Sequence, residues 1–278
     1  MKGNLRRGAR RIAPSCFVLI ATICGCDEHA LSSRTASSDC TSPTVALVGD
    51  FVIATEEDMA MLIPAGDECF SITGDLTIAE TNLTHVEGLR HLISIGGDLR
   101  IRFNSALTSL AGLENLSNID GGLRIRFNDH LPSLRGLNNL TGIHGDLHIS
   151  FNDELASIEA LSGLTGIGED LDIFDCDALA SLKGLERLSS VGGFLQIGDN
   201  RQLMNVEALG ALTRIGGSLR IVQNQSLKSL DAFDRLTQVG GFTIENNPML
   251  ATQSAQALAD RLRAGGFAGE VIIDGNQT

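Results

Sequence analysis

The sequence predicts a mostly β fold, a solenoid in which one chain winds into stacked coils. Two observations predict it: a unit of about 24 residues recurs along most of the 278-residue chain, and each unit opens with alternating apolar and polar residues. The openings are GDLTI at 74–78, GDLRIRFN at 97–104, GGLRIRFN at 121–128, GDLHISFN at 145–152, EDLDIFDC at 169–176, GFLQIGDN at 193–200, GSLRIVQN at 217–224 and GFTIENN at 241–247. So short a unit cannot bury its own apolar residues, and neighbouring units must therefore stack.

The first 25 residues are predicted to be a lipoprotein signal peptide that lies outside the fold. A basic stretch with five Lys and Arg residues precedes an apolar stretch, 12–23, that is too short to span a membrane. The end, Ile23-Cys24-Gly25-Cys26, resembles the cleavage site of bacterial lipoproteins, with Cys26 as the residue that carries the acyl (palmitate) anchor. Cys24 fits this pattern less well, and an ordinary secretory signal with an incidental Cys26 is the alternative.

The mature chain is predicted to be strongly acidic. Cleavage before Cys26 leaves 16 basic and 34 acidic residues, a formal charge of −18. We therefore expect no nucleic-acid partner and no binding to anionic membrane surfaces, so that the membrane is contacted through the lipid anchor only. Residues 26–39 are polar and Ser-rich after the anchor, and they are predicted to form a flexible tether.

Three cysteines follow Cys26, and their positions suggest two roles. Cys40 and Cys69 bracket the segment before the first repeat, and an oxidising compartment would let them pair. Closing a loop of about 30 residues would stabilise the fold by roughly 3–4 kcal/mol. Cys176 stands where most units have Asn, which favours a small buried side chain over a reactive thiol.

Residues 40–73 are predicted to form an N-terminal cap with a strand and a short helix. The segment 45–53 is apolar and rich in β-branched residues, as a strand requires. Thr55 followed by three acidic residues is typical of a helix N-terminus, and Pro64 would end that helix.

The solenoid body is predicted to run from 74 to 248 in about eight repeats. Pairs such as Leu99 and Ile101 alternate with outward-facing residues, so one face of each strand points inside. Leucines at three-residue spacing downstream, such as Leu107 and Leu110, also point inward, which requires the chain to bend between them. Paired glycines permit the corner before each strand.

Two polar positions recur once per unit and are predicted to form ladders at the bends. One ladder consists of Asn104, Asn128, Asn152, Asn200, Asn224 and Asn247, and the other of Ser109, Ser133, Ser157, Ser181 and Ser229. We expect both to satisfy backbone groups in turns rather than to act as nucleophiles or ligands.

Residues 249–278 break the repeat and are predicted to cap the far end. The segment 254–264 has helix-forming residues, with Leu258 and Leu262 one turn apart, and Gly265 would end it. Residues 270–274 are expected to add a last strand. A helix across the open end would cover the final coil, as solenoids require.

The pattern L-x-I-x-x-N-x-x-L with a downstream L-x-x-L-x-x-I resembles leucine-rich repeats. It is more similar to the receptor L domain, a right-handed β-helical module of receptor ectodomains, and to repeats of bacterial envelope lipoproteins. The segment 69–78 resembles the opening of that module, with Cys40 as the disulfide partner of Cys69. Over about residues 40–248 the resemblance implies a right-handed single-stranded β-helix that binds proteins or peptides and has no catalytic residue. Without a Cys-rich module or a kinase, it implies nothing about growth-factor signalling.

Outward-facing basic residues are predicted to meet in a grid, roughly 4.8 Å between coils and about 6.7 Å along a strand. The members are Arg100, Arg102, Arg124 and Arg126, with His148 at the border. One hypothesis is a binding site for carboxylate or phosphate groups of a ligand, because guanidinium forks suit planar anions. The alternative is a solvated face whose charge is compensated by Asp98, Asp146 and Asp170.

Acidic residues crowd one coil, 169–177, and hard cations bind clustered carboxylates. Alternation along the strand sends these side chains to different sides, and the run lacks the order of known calcium loops, so we expect a solvated acidic face and no metal. The histidines lack metal-ligand spacing, and the sequence contains no phosphate-binding loop or serine-nucleophile motif. We therefore expect no cofactor.

These features favour a non-enzymatic, lipid-anchored recognition module of the bacterial cell envelope that binds a protein or peptide on the solenoid face. The outer membrane or cell surface is preferred to the inner membrane as its location. A second hypothesis is a β-helix polysaccharide lyase or hydrolase, which the uniform coils and the lack of Trp and Tyr disfavour. A third is a structural spacer, which an acidic surface without an apolar outer patch would favour.

Overall fold

A computed structural model describes residues 40, 43, 45–64 and 68–277, and it shows two parallel β-sheets wound by one chain. Successive strands alternate between the sheets through most of the chain, so that each coil supplies one strand to each sheet. This is the architecture of a parallel β-solenoid, as the 24-residue period predicts. The predicted signal peptide, the acylated Cys26 and the tether lie outside the described residues.

The strands follow one another in short segments. In chain order they are β1 (Val45–Leu47), β2 (Phe51–Ile53), β3 (Phe70–Ile72), β4 (Leu76–Ala79), β5 (Leu92–Ile95), β6 (Leu99–Arg102), β7 (Asn118–Ile119), β8 (Leu123–Arg126), β9 (Gly142–Ile143), β10 (Leu147–Ser150), β11 (Gly166–Ile167), β12 (Leu171–Phe174), β13 (Ser190–Val191), β14 (Leu195–Gly198), β15 (Arg214–Ile215), β16 (Ser218–Val222), β17 (Gly241–Glu245) and β18 (Val271–Asp274). Sheet A has the order β1-β3-β5-β7-β9-β11-β13-β15, and sheet B has the order β2-β4-β6-β8-β10-β12-β14-β16-β17-β18. The described part also contains the helices α1 (Glu56–Leu62) and α2 (Thr252–Ala264), and short 3-10 turns at Glu87–Leu89, Glu159–Leu161, Glu207–Leu209 and Asp231–Arg235.

Leucine and isoleucine side chains fill the interior between the sheets. In β6 and β8, Leu99 lies in register with Leu123 and Ile101 with Ile125, and all four side chains are fully buried. The leucines at three-residue spacing are buried as well, which confirms that the chain bends between them. Each fully buried side chain of this kind stabilises the fold by about 1.5–3 kcal/mol, and equivalent residues repeat that contribution coil after coil.

A ladder of buried amides closes the corner after each sheet B strand. In Asn128, Nδ2 donates to the carbonyl oxygens of Ile101 and Arg126 at 3.0 and 3.1 Å, and Oδ1 accepts from the backbone N–H of Asn104 at 3.3 Å. All predicted asparagines of this ladder are fully buried, and Thr81 and Asn276 continue it at its two ends. Each amide thus joins its own coil to the preceding one, which confirms the predicted role in the turns.

The residue before each ladder position adopts the left-handed backbone conformation. Its φ lies between 52° and 60° at Glu80, Phe103, Phe127, Phe151, Asp175, Asp199, Gln223 and Asn246, and Gly275 has φ of 65°. This turn directs the following side chain into the corner. Asn and Asp tolerate the conformation, whereas an aromatic residue rarely adopts it.

Serines of the predicted second ladder hydrogen-bond within their own coil, to the turn that follows them. The hydroxyl of Ser109 accepts from the N–H of Ala111 at 3.0 Å, and Ser229 accepts from Asp231 in the same way. These side chains satisfy the turn that follows them, as we expected of this position.

The N-terminal segment differs from the expectation in one respect. Residues 45–53, predicted to be one strand, form β1 and β2 in different sheets, because Gly49 with φ of 111° turns the chain between them. Thr55 caps α1 as predicted, in a capping box in which Asp58 bonds back to the backbone of Thr55. Cys40 and Cys69 are joined in a disulfide with a Cα–Cα distance of 5.8 Å, which confirms the predicted pair.

At the other end, α2 begins at Thr252, two residues before the predicted start, and buries Ala255, Leu258, Ala259 and Leu262. The guanidinium of Arg261 donates to the carbonyl oxygens of Phe233 and Leu236 in the coil beneath the helix. The chain then returns as β18, the predicted last strand, which pairs with β17. No described helix has the length and apolar character that crossing a membrane requires.

Cys176 occupies a position of the amide ladder without completing it. Its backbone N–H donates to Oδ1 of Asn200 at 3.1 Å, but its Sγ lies 4.0 Å from the carbonyl oxygen of Ile149. In neighbouring coils, Asn152 donates to the carbonyl of Ile125 at 2.9 Å and Asn200 donates to that of Ile173 at 3.0 Å. Burial raises the pKa of the thiol to about 12, so it stays protonated.

We expect Cys176→Asn to increase the free energy of unfolding by about 1 kcal/mol, because an amide would donate to the Ile149 carbonyl more strongly than the distant thiol does. Urea unfolding followed by circular dichroism measures the change. In the reciprocal variant, Asn128→Cys, three backbone groups lose their amide partner, and we expect a loss of about 2–4 kcal/mol. A Cys176→Asn protein less stable than the wild type would contradict the assigned role of the ladder.

Candidate functional site

The outer face of sheet B carries two rows of side chains, because alternate residues of each strand point away from the core. The register of the strand pairs places Thr77, Arg100, Arg124, His148, Asp172, Gln196 and Arg220 in one row, and Ala79, Arg102, Arg126, Ser150, Phe174, Gly198 and Val222 in the other. The four arginines and the histidine of the predicted grid are therefore neighbours on this face.

Aspartates that precede the sheet B strands pair with one row of these arginines. Arg100 bridges Asp75 and Asp98, each at 2.5 Å, and Arg124 bridges Asp98 and Asp146, the latter at 2.6 Å. Burial opposes ionisation of Asp98, but a backbone N–H and the two arginines together lower the pKa of that carboxyl below its ordinary value. The charges of Arg100 and Arg124 are thus compensated within the fold.

The other row of arginines lies beside phenylalanines. Among the described residues, neither Arg102 nor Arg126 has a carboxylate within ion-pair distance. The guanidinium carbon of Arg102 lies 5.9 Å from the ring centre of Phe103. That of Arg126 lies 5.6 Å from the ring centre of Phe127 and 6.0 Å from that of Phe151. We call these five residues the arginine–phenylalanine patch.

The rings of the patch stack on one another across three coils. The centres of Phe103 and Phe127 are 4.7 Å apart and those of Phe127 and Phe151 are 4.6 Å apart, with interplanar angles of 6° and 2°. Both faces of the middle ring are therefore covered, and its edge is the part that solvent can reach. Ring edges carry partial positive charge, so they add to the field of the arginines.

The backbone makes phenylalanine an unusual choice at these positions. All three phenylalanines occupy the left-handed position before the amide ladder, and Phe103 is 46 % exposed. Other coils have Glu, Asp, Gln, Asn or Gly there, so the turn itself does not require an aromatic residue. A left-handed conformation costs an ordinary residue roughly 1–2 kcal/mol, which stacking of about 0.5–1.5 kcal/mol per pair offsets in part. Partly exposed aromatic rings in a strained conformation point to a contact surface.

A buried hydrogen-bond chain adjoins the patch. Nε of Arg126 donates to the hydroxyl oxygen of Ser150 at 3.0 Å, and that oxygen lies 2.9 Å from Nε2 of His148. Nδ1 of His148 lies 3.2 Å from a carboxylate oxygen of Asp172. Nε2 of His148 thus shares a hydrogen bond with the Ser150 hydroxyl, whereas Nδ1 faces the Asp172 carboxylate at ion-pair distance. We call Ser150, His148 and Asp172 the relay.

Burial sets the charges of the relay. Ser150 is 1 % exposed and Asp172 is 9 % exposed. Burial, followed by the nearby Arg126 and Arg124, lowers the pKa of His148 to about 4, so the imidazole is neutral at pH 7. Burial raises the pKa of Asp172 to about 6, which leaves the carboxylate mostly ionised at that pH. The relay therefore connects the charged Arg126 side chain to the buried carboxylate of Asp172.

The order hydroxyl, imidazole and carboxylate is also that of a serine nucleophile with its base. Here the side chain of Ser150 is almost completely buried, and Arg126 already donates to its oxygen. No carbonyl carbon can approach that oxygen in this arrangement. The geometry instead suits orientation of Arg126 by the relay.

Sequence reasoning had singled out His148 but missed Ser150 and Asp172 as its partners. Neither residue belongs to a motif, and sequence reasoning noted Asp172 only as part of the acidic coil 169–177. The 24-residue period nonetheless contained the signal, because it places Ser150 opposite Arg126 and Asp172 opposite His148.

The acidic coil 169–177 does not converge on one point. Asp172 belongs to the relay, whereas Asp177 pairs with Arg201 at 3.2 Å. Within the described ranges, the group of side chains close enough together to bind a metal ion is the disulfide pair of the first coil with His91, and its cysteine sulfurs are bonded to each other.

We expect Phe103→Asn to change the free energy of unfolding by less than about 1 kcal/mol, because Asn accepts the left-handed conformation and so offsets the lost ring stack. Phe103→Val is the matched control, since a β-branched residue is strained there, and it should cost about 1–2 kcal/mol more than Asn. Urea unfolding measures both. If the two variants are equally unstable, the fold itself needs the ring.

The buried carboxylate of Asp172 should make stability depend on pH. Its pKa rises from 3.8 unfolded to about 6 folded, so the folded state binds more protons between these values, and stability falls as pH rises through this window. Asp172→Asn never ionises and should therefore gain about 1–3 kcal/mol relative to the wild type between pH 4 and pH 7.5. Urea unfolding at both pH values checks this, with the exposed Asp260→Asn as control. A difference that is the same at both pH values would exclude a buried, ionising carboxylate.

The resulting surface carries two guanidinium groups without a direct ion pair among the described residues, beside stacked rings, and one of these groups donates to the buried relay. Such a surface can bind a partner that offers negative charge next to apolar contact area. The chain matches no protein-family model and no curated protein sequence, so its own geometry is the guide to its function.

Proposed function

We propose that this protein is a non-enzymatic recognition module that binds a protein or peptide on the outer face of sheet B. The arginine–phenylalanine patch is the contact surface in this proposal. The chain is held at the bacterial cell envelope by a lipid on Cys26, at the outer membrane or cell surface, while the solenoid presents the patch to its partner.

One observation carries the proposal: on a chain with 34 acidic and 21 basic residues, Arg102 and Arg126 lie side by side next to partly exposed phenylalanines, and within the described ranges neither has a carboxylate at ion-pair distance. Elsewhere on the same face, Arg100 and Arg124 are neutralised by the aspartates next to them. The uncompensated pair favours a partner with negative charge, and the rings favour one with apolar groups, as at the central part of many protein interfaces.

The same proposal includes the finer features of the fold. The coils are right-handed, in line with the strong preference of parallel strands for right-handed crossovers. The 40–73 segment and α2 serve as caps, because α1 and α2 each bury apolar side chains against an end of the solenoid. A solenoid of this kind is a single-stranded β-helix like the receptor L domain, whose regular faces bind proteins or peptides.

Location and anchor are supported by the sequence alone. The basic stretch, the apolar stretch and the Ile23–Cys26 end belong to residues outside the described ranges. The disulfide between Cys40 and Cys69 agrees with export to an oxidising compartment.

A variant comparison tests the function. The purified protein is chemically cross-linked in an envelope extract of the source cells, the captured protein is identified, and its affinity is measured by biolayer interferometry. We expect the double variant Arg102→Gln/Arg126→Gln to bind at least tenfold more weakly, because each charged contact contributes about 1–3 kcal/mol.

The matched control is Arg135→Gln/Arg187→Gln, which removes the same charge from exposed positions away from sheet B. Its affinity should stay within about twofold of the wild type, apart from a small general electrostatic effect. An equal loss in both double variants, or no loss in either, would contradict binding at the patch.

A further inference from the structure

The two arginines of the patch are not equivalent. Arg126 is half-buried, and its Nε donates to Ser150 at 3.0 Å, whereas Arg102 is exposed. In register, the residue opposite Arg102 on the next strand is Arg126, which offers no acceptor, while the residue opposite Arg126 is Ser150. Within the described part of the chain, Arg102 therefore lacks the hydrogen bond that holds its neighbour.

The hydrogen bond to Ser150 decides which atoms of Arg126 are free. A guanidinium group binds carboxylates through either of two forks, one of which uses Nε. With Nε engaged, the end of the group, formed by Nη1 and Nη2, is left for a ligand. This fork is planar and matches the two oxygens of a carboxylate.

The relay holds that fork in place. The hydroxyl oxygen of Ser150 accepts from Nε of Arg126 and lies 2.9 Å from Nε2 of His148, whose Nδ1 lies 3.2 Å from the buried carboxylate of Asp172. Neighbouring hydrogen bonds in a buried site polarise each other, and the Asp172 charge acts on the imidazole at the end of this pair. The long arginine side chain then loses less freedom when a partner binds, which increases affinity without any new contact.

We propose that the patch recognises a carboxylate of an acidic peptide segment, that Arg126 receives it end-on, and that Ser150, His148 and Asp172 act as positioning residues for Arg126. This inference rests on the proposed function and names the group that the patch binds. The carboxylate is an Asp or Glu side chain beside an apolar residue, because the exposed ring edges lie next to the fork.

The test uses two labelled peptides, three repeats of Gly-Phe-Glu and three repeats of Gly-Phe-Gln, and fluorescence anisotropy at low salt. We expect the wild-type protein to bind the Glu peptide at least tenfold more tightly than the Gln peptide. Arg126→Gln should remove most of that preference, and Ser150→Ala should weaken binding of the Glu peptide about threefold to tenfold. Absence of any preference for the Glu peptide in the wild type would overturn the assignment of a carboxylate.

A comparison of double variants distinguishes positioning of Arg126 by Ser150 from a general structural effect of the Ser150→Ala substitution. In the Arg126→Gln background, Ser150→Ala should have no further effect on affinity, whereas in the Arg102→Gln background it should have its full effect. Ser150→Thr keeps the hydroxyl and should restore binding. Equal effects of Ser150→Ala in both backgrounds would overturn the role of the relay, and urea unfolding confirms that each variant is folded.

Failure of this inference can be told apart from failure of the proposed function. If Arg102→Gln/Arg126→Gln loses the captured envelope protein while Ser150→Ala retains it at full affinity, the patch binds and the relay is not needed. If the double arginine variant also retains it, the patch is not the contact surface, and both proposals are wrong.

Discussion

The fold depends on satisfying the backbone groups at the corner that each coil makes after its sheet B strand. Buried amides do this from one coil to the next, and each needs the preceding residue in a left-handed conformation. That conformation also determines which residue stands at the surface beside the corner. The stacked rings of Phe103, Phe127 and Phe151 occupy this position, so the amide ladder that holds the coils together also arranges the proposed binding surface.

Stacking similar units brings similar charges within a few ångströms of each other, and the protein handles this in two ways on one face. Where aspartates precede the strands, they alternate with Arg100 and Arg124, and the repulsion becomes attraction. Where these aspartates do not reach, Arg102 and Arg126 lie beside aromatic rings instead. Arg126 is also linked to the buried carboxylate of Asp172 through Ser150 and His148. Residues that repeat in every coil thus form the framework, and residues that differ from the repeat form the proposed binding surface.

The period of the sequence was enough to predict which residues are neighbours, including the inward leucines, the asparagine ladder and the arginine grid. The disulfide and both helices also followed from local patterns. Sequence reasoning could not find the division of 45–53 at Gly49 or the left-handed phenylalanines, because both depend on φ values that residue type only biases. It also missed the relay, which depends on side-chain rotamers within a register that was itself predictable.

The two ends of the stack are secured by different means. A covalent link joins Cys40 to Cys69 at the first coils, whereas the last coils are held by the apolar contacts of α2 and by two hydrogen bonds from Arg261. In a molecule whose units touch only their neighbours, opening proceeds inward from the weaker end. Fraying would therefore start near β18 and reach the coils of Phe103 and Arg126 only late, so partial unfolding from the C-terminal side would leave the proposed binding surface folded.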